Sequence, residues 1–157
     1  MFTCKHGGWH TVRHNDLRDT LTDLLCEVCQ EVTKELLLQP LSGEQLPRST
    51  NKADDARADI KARGFWTGEQ DAFFDVRVIH PFASYQDSPL SSVYRQHELK
   101  KRRKYGQRIR EVEHGELTPL VFTAAGGTAP EATIFLKRLA SQIAEKRGEP
   151  TPVPWAG

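Results

Sequence analysis

Residues 55–81 read DARADIKARGFWTGEQDAFFDVRVIHP, in which two strand-like runs are joined by a short polar turn at residues 67–70. This pattern is typical of a β-hairpin. Each run carries one aspartate among apolar neighbours, Asp59 in the first run and Asp75 in the second. Burying a carboxylate costs free energy unless it is paired with a cation or bound to a metal ion. Either aspartate alone fits a cap or an ion pair at a strand end, whereas two on adjacent strands favour a shared divalent cation.

The bulk composition indicates one domain. The chain has 157 residues, enough to bury a hydrophobic core. Its formal net charge is only +1, but lysine and arginine cluster between Lys100 and Arg110. No run approaches the roughly 18 apolar residues that a membrane span needs, and no secretory signal is expected. Three cysteines, an odd number, argue against a disulfide framework and for a reducing compartment inside the cell.

A first helix is predicted before the hairpin. Apolar residues recur at helical spacing from Leu17 to Val32, and Asn15 is expected to be the N-cap. Cys26 and Cys29 are expected inside this helix as small residues, with at least one of them buried.

A second long helix is predicted over residues 91–114, and Gly115 is expected to end it. Its phase decides where its charges point. One stripe at steps of three or four should face the sheet, and it consists of Tyr94, Glu98, Lys101, Tyr105, Ile109 and Val112. The alternative is a solvated charged face with Lys101 at its edge. The rest of the helix should carry a basic surface, made of Lys100, Arg102, Arg103, Lys104, Arg108 and Arg110.

Further segments complete the predicted fold. Residues 35–41 are strand-like, and residues 42–54 read as a surface loop. Residues 117–123 are nearly all apolar, as expected of a strand that is covered on both faces. Pro130 should start a last helix. The apolar stripe of that helix is expected to be Ile134, Leu136, Leu139 and Ile143.

The predicted element order, α-β-β-β-α-β-α with acids on the second and third strands, resembles the core of the PD-(D/E)XK restriction-like nucleases. A narrower resemblance is to the restriction-like endonuclease domain of site-targeting non-LTR retrotransposons. It is carried by RHN at 13–15, ADI at 58–60, FDVRV at 74–78 and KRRKY at 101–105. The stretches HGELTPLVFTAAGG and PEATIFLKRLA are similar to reverse-transcriptase-associated proteins of animal genomes.

This resemblance implies an α/β (α+β) fold with a central mixed sheet of about four strands flanked by helices. The endonuclease domain would cover residues 13–147. Residues 1–12 would be a lead-in, a remnant of a zinc knuckle in which Cys4 binds Zn²⁺ only in a longer chain. Residues 148–157 would be a flexible proline-rich tail.

The resemblance also implies roles for individual residues. Asp59 stands at the aspartate of the PD motif and Asp75 at the second acid, and both would hold Mg²⁺ or Mn²⁺. In this family the catalytic lysine has moved to the following helix, where Lys101 and Tyr105 stand in a KxxxY pattern. Glu98 would complete the metal shell or help to position water.

Two positions depart from the wider family. Ala58 stands where the PD motif has proline, and Arg77 replaces the lysine of D-x-K. Arginine stays protonated and cannot act as a base, although it can hold a phosphate. Contacts with the DNA backbone would come from Arg77 and from Arg13, His14, Lys100, Arg102, Arg103, Lys104 and Arg108.

The implied function is metal-dependent cleavage of DNA in the nucleus, which nicks a target to prime a reverse transcriptase of the same parent polypeptide. Two alternatives remain. The first is a catalytically inactive DNA-binding or scaffold module derived from a nuclease, which the residues Ala58 and Arg77 favour. The second is a zinc-binding interaction domain built on histidines and on Cys4, Cys26 and Cys29.

Overall fold

The computed structural model describes residues 8–37, 57–80 and 87–150. The first half contains α1 (Gly8–Val28), β1 (Val32–Leu37), β2 (Arg57–Arg63) and β3 (Asp71–Ile79). The second half contains α2 (Leu90–Lys101), two π-helical segments (Arg102–Gly106 and Ile109–Glu113), β4 (Glu116–Thr123) and α3 (Pro130–Arg147). The predicted element order and the mixed α/β class are confirmed.

The strands form one four-stranded sheet in the order β1-β2-β3-β4. β1, β2 and β3 pair antiparallel, and β4 pairs parallel to β3. A parallel neighbour needs a crossover connection, and α2 with its π-helical continuation supplies it. The predicted hairpin is therefore the centre of the sheet, and Asp59 and Asp75 lie on neighbouring strands as expected.

Helices cover the sheet on both faces. The largest core cluster joins α1 and α3 to one face, and it includes Leu21, Leu25, Ile60, Phe74, Leu120, Phe135 and Leu139. A second cluster joins the opposite face to the π-helical segments, and it consists of Ala58, Phe73, Tyr105, Ile109 and Leu117. Alternation along β3 sends Phe74 to the first cluster and Phe73 to the second.

The observed first helix differs from the predicted one. It begins at Gly8, so Asn15 lies inside the helix and is not its N-cap, and the start of the helix overlaps the expected lead-in. It ends at Val28, before Cys29, and Val32 already belongs to β1. Cys26 is exposed and Cys29 is half-buried, so the expectation that one cysteine is buried was wrong. Cap signals are weak beside the packing of an apolar helix face on a sheet, which sets the length of α1.

The predicted first strand is also displaced, because β1 begins at Val32. Residues 38–41, the expected loop at 42–54 and residues 151–157 of the expected tail lie outside the described residues.

The second long helix is confirmed in phase but ends differently. Tyr94, Glu98, Tyr105 and Ile109 of the predicted stripe are buried. His114, in a left-handed conformation with φ 54°, caps the helix in place of the expected Gly115. Gly115 instead allows the start of β4 to lie against Phe73 and Asp71 of β3, where a Cβ would clash.

The last helix starts at Pro130 as predicted. Leu136, Leu139 and Ile143 of its predicted apolar stripe pack on the core, but Ile134 does not. Ile134 is 59% exposed, whereas the adjacent Phe135 is fully buried. The large ring packs within 5.0 Å of Phe65 and 4.8 Å of Phe74, measured between centroids. These aromatic contacts decide which face of α3 lies on the sheet.

Candidate active site

Asp59 occupies a gap between β2 and β3. The pairing of these strands extends from Arg63–Asp71 to Ile60–Phe74, and the next step of the register would set Asp59 opposite Asp75. Asp59 Oδ2 instead accepts a hydrogen bond from the Val76 backbone N–H at 2.7 Å. The carboxylate therefore takes the place of a backbone acceptor at the point where the two strands separate.

His14 approaches Asp59 from α1. Its Nε2 lies 3.3 Å from Asp59 Oδ2, and its Nδ1 lies 3.3 Å from Asn15 Oδ1. The hydrogen bond to Asp59 is the main cause of a raised His14 pKa, and burial opposes it. The structure places His14 against Asp59, and its contact with DNA stays a prediction.

Asp75 projects from β3 toward α2 and is almost fully buried, with a side chain 5% exposed. Burial raises the pKa of the Asp75 carboxyl, the charge of Lys101 lowers it, and the negative charge of Asp59 raises it. The two carboxylates therefore act on each other and form one electrostatic site.

Lys101 reaches this site as the phase of its helix predicted. Its Nζ lies 2.7 Å from Asp75 Oδ2, an ion pair between α2 and the central strand. At this distance the ammonium compensates the charge of the buried carboxylate and lowers the pKa of Asp75 against the effect of burial. Lys101 Nζ also lies 5.5 Å from the ring centroid of Tyr105, a buried member of the second core cluster. Tyr105 thus supports the lysine that faces Asp75.

Glu98 is buried one turn before Lys101, but its carboxylate is engaged elsewhere. Its Oε1 accepts a hydrogen bond from the Glu131 backbone N–H at 3.2 Å, in the first turn of α3. Burial raises the Glu98 pKa, and the hydrogen bond from the backbone of Glu131 lowers it. Glu98 is therefore a helix cap that links α2 to α3. Its role at a metal ion stays a prediction.

Arg77 follows Asp75 on the same strand face. Within the described part of the chain, its Nε is buried without a hydrogen-bond partner. Its neighbour His97 has a lowered pKa, first because of burial and then because of the charges of Arg77, Lys100 and Lys101. Positive charge thus gathers beside Asp75, which is an environment suited to a phosphate group.

The basic residues predicted to bind DNA differ in exposure and in their contacts. The exposed ones include Lys100, Arg103, Lys104 and Arg13, whereas Arg108 is half-buried. Arg102 is exposed as well, but its guanidinium makes two hydrogen bonds to the Glu131 carboxylate, at 3.0 and 2.6 Å. Arg102 therefore fastens the first π-helical segment to α3, next to the contact that Glu98 makes from α2.

The donor set fits a hard divalent cation. Mg²⁺ is usually bound by one or two carboxylates, together with water and substrate phosphates. Asp59 and Asp75 supply two carboxylates from neighbouring strands, and the charge of each acts on the other. Among the described residues, no group of three or more His, Cys, Asp and Glu side chains is placed to hold a metal ion. A zinc site with Cys4 lies outside the described residues.

Sequence reasoning missed two contacts of Asp59. The contact with His14 depends on how α1 packs on the hairpin, and the hydrogen bond from Val76 depends on where β2 and β3 separate. No family model matches the chain, and a search of curated proteins finds no matching relative. No described helix is long and apolar enough to cross a membrane.

Proposed function

We propose that this chain is a divalent-metal-dependent DNA endonuclease of the restriction-like type, similar to the endonuclease domain of site-targeting non-LTR retrotransposons. It would hydrolyse phosphodiester bonds and nick a target DNA. The observation that carries the proposal is the convergence of Asp59, Asp75 and Lys101, from three different elements, on one partly buried site.

Asp59 and Asp75 would hold Mg²⁺ or Mn²⁺, and the ion would neutralise charge on the scissile phosphate. Asp59 is oriented for this by the Val76 N–H, and Asp75 by the walls of its buried position. Lys101, held between Asp75 and the ring of Tyr105, would orient the attacking water or stabilise the negative charge that develops. Arg77, whose Nε has no hydrogen-bond partner among the residues that the structure describes, would hold a phosphate of the cleaved DNA strand.

The exposed basic residues of the second helix would bind the DNA backbone. Lys100, Arg103 and Lys104 flank Lys101, so a backbone held there would lie beside the acidic pair. Such contacts position DNA but carry no sequence information. A reverse transcriptase in the same polypeptide, and action in the nucleus, belong to this proposal through the resemblance alone.

The test is nicking of supercoiled plasmid in Mg²⁺ or Mn²⁺, with EDTA as the blank. Asp59→Asn and Asp75→Asn should each abolish nicking and leave DNA binding nearly unchanged. Asp71→Asn is the matched control. Asp71 lies on β3 like Asp75, but it pairs with Lys61 at 3.1 Å and lies outside the proposed metal site. Equal loss of binding and nicking in all three variants would mean that these acids are structural.

A catalytically inactive DNA-binding module is the second candidate, and one observation favours it. Lys101 pairs with Asp75, and His14 pairs with Asp59. Both acids thus have a basic partner within the protein, which is the arrangement expected of a module that binds DNA without a metal ion. This candidate predicts DNA binding in EDTA and no cleavage under any divalent metal.

A further inference from the structure

Glu35 has an unusual backbone for a residue in a strand. Its φ is 52°, in the left-handed region, although β1 extends on both sides of it. A residue with a Cβ pays a conformational free-energy cost in this region, and such strain persists only where the surrounding structure holds it. Glycine adopts the same conformation without that cost.

The strained residue lies opposite Asp59. The pairing of β1 with β2 includes Lys34–Ile60 and Leu36–Ala58, but in these described strands it leaves out the intervening step. That step would join Glu35 to Asp59. The left-handed turn of the backbone at Glu35 thus coincides with the one position where β2 must present a carboxylate.

Side-chain alternation reverses at the same place. Ile60 packs with Phe74 on the α1 and α3 side of the sheet. Ala58, two residues earlier, should share that side. It packs instead with Phe73 and Tyr105 on the opposite side. β2 is therefore rotated across Asp59, although its register with β1 is the same on both sides of that residue.

Helix α1 holds both members of the omitted pair. His14 contacts Asp59, and Arg18, one turn later, donates a hydrogen bond from its Nη1 to Glu35 Oε1. The Arg18 side chain is only 11% exposed, whereas the Glu35 side chain is 56% exposed, so a mostly buried guanidinium contacts a carboxylate at the surface. Two residues at helical spacing thus fasten the acid and the strained residue opposite it.

We propose that Glu35 is a positioning residue for the metal site. Its left-handed backbone interrupts the β1–β2 pairing and frees Asp59 to turn toward β3, where the Val76 N–H orients the carboxylate. The consequence for metal binding rests on the proposed function, whereas the consequence for the Asp59–Val76 hydrogen bond does not.

The experiment compares Glu35→Gly with Glu35→Val. Both variants lose the Arg18 contact, but glycine accepts the left-handed backbone and valine opposes it. Three quantities are measured in the folded proteins: hydrogen exchange at the Val76 amide, Mn²⁺ affinity by titration calorimetry, and plasmid nicking in saturating Mn²⁺.

Glu35→Gly should keep Val76 protected and Mn²⁺ affinity close to that of the parent chain. Glu35→Val should speed exchange at Val76 and weaken Mn²⁺ binding by about tenfold, which corresponds to about 1.4 kcal/mol. If Glu35→Val does not fold, Glu35→Ala replaces it and should shift both quantities in the same direction. Equal behaviour of the glycine and branched variants at Val76 would overturn the inference. If the parent chain neither binds Mn²⁺ nor nicks DNA, but the two variants still differ in hydrogen exchange at the Val76 amide, only the proposed function is overturned.

Discussion

Lys101 Nζ lies 2.7 Å from Asp75 Oδ2, so a helix residue pairs with a buried acid of the central strand. Helical spacing and the KxxxY pattern of the resembled family both predict this lysine, while Arg77 occupies the strand position two residues after Asp75. The Lys101 ammonium and the Arg77 guanidinium therefore both lie near the Asp75 carboxylate. Under the proposed function, the two cations divide the work between water and phosphate.

Lys101→Ala should slow nicking by roughly a hundredfold or more, which is the scale of losing one contact made in the transition state. Mn²⁺ binding should persist, because the cation that competes for Asp75 is removed. Lys101→Arg should rescue nicking poorly, since a planar fork does not replace an ammonium between Asp75 and Tyr105. Single-turnover nicking rates and calorimetry measure both effects.

Lys100→Ala is the control for this prediction, because Lys100 is the exposed neighbour on the same helix. It should weaken DNA binding slightly and leave the nicking rate of bound DNA unchanged. Normal nicking by Lys101→Ala together with loss in Arg77→Ala would show that the strand position has kept the catalytic cation.

Gly115→Ala should destabilise the fold by about 1–3 kcal/mol, the usual cost of overpacking. A Cβ at Gly115 would lie 2.5 Å from Phe73 Cε2 and 2.6 Å from the Asp71 carbonyl oxygen. Urea unfolding measures the loss. At Gly106, nothing lies within 4 Å of an added Cβ, so Gly106→Ala should be neutral or stabilising. Equal effects at both glycines would contradict the close approach at Gly115.

Much of the fold follows from periodicity. Alternation on both sides of a polar turn predicts the hairpin, and a stripe ending in Ile109 and Val112 predicts that Lys101 points inward. These features survive because each depends on the burial of many apolar side chains at once. The α3 stripe fails at Ile134, because the choice between two adjacent apolar residues is made by the space beside Phe65 and Phe74.

The geometry of the site was less accessible from sequence. His14 reads as one of several basic residues near the start of the chain, and its contact with Asp59 exists only because α1 packs across the hairpin. Glu35 carries no sign of a left-handed backbone, since glycine or asparagine is the usual residue there. Tertiary packing decided both features, and no local pattern reports it.

Arg103→Glu should weaken binding to all DNA sequences alike and reduce the salt dependence of binding. Each lost phosphate contact removes about 0.9 from the slope of log affinity against log salt.

Arg102→Glu is the matched variant, because Arg102 is engaged with Glu131. It should lower thermal stability by placing two acids together, and its effect on DNA binding should be the smaller of the two. Titrations by fluorescence anisotropy at several salt concentrations separate them. A change confined to one DNA sequence would indicate base contacts instead.

Glu98→Gln tests whether Glu98 serves as a helix cap, and it does so through pH. The folded-state Glu98 pKa is raised, mainly by burial, so the ionised form is less favourable in the folded than in the unfolded chain. Stability from this group is therefore full below its unfolded pKa and is lost as pH rises through the folded pKa. Glutamine keeps an oxygen that can accept from the Glu131 N–H and never ionises. Glu98→Gln should thus be as stable as the parent chain near pH 4 and more stable at pH 7, as measured by urea unfolding, with nicking retained.

Glu98→Ala, which lacks the acceptor, should be less stable at both pH values. Abolished nicking by a stable Glu98→Gln would instead place Glu98 at the metal ion.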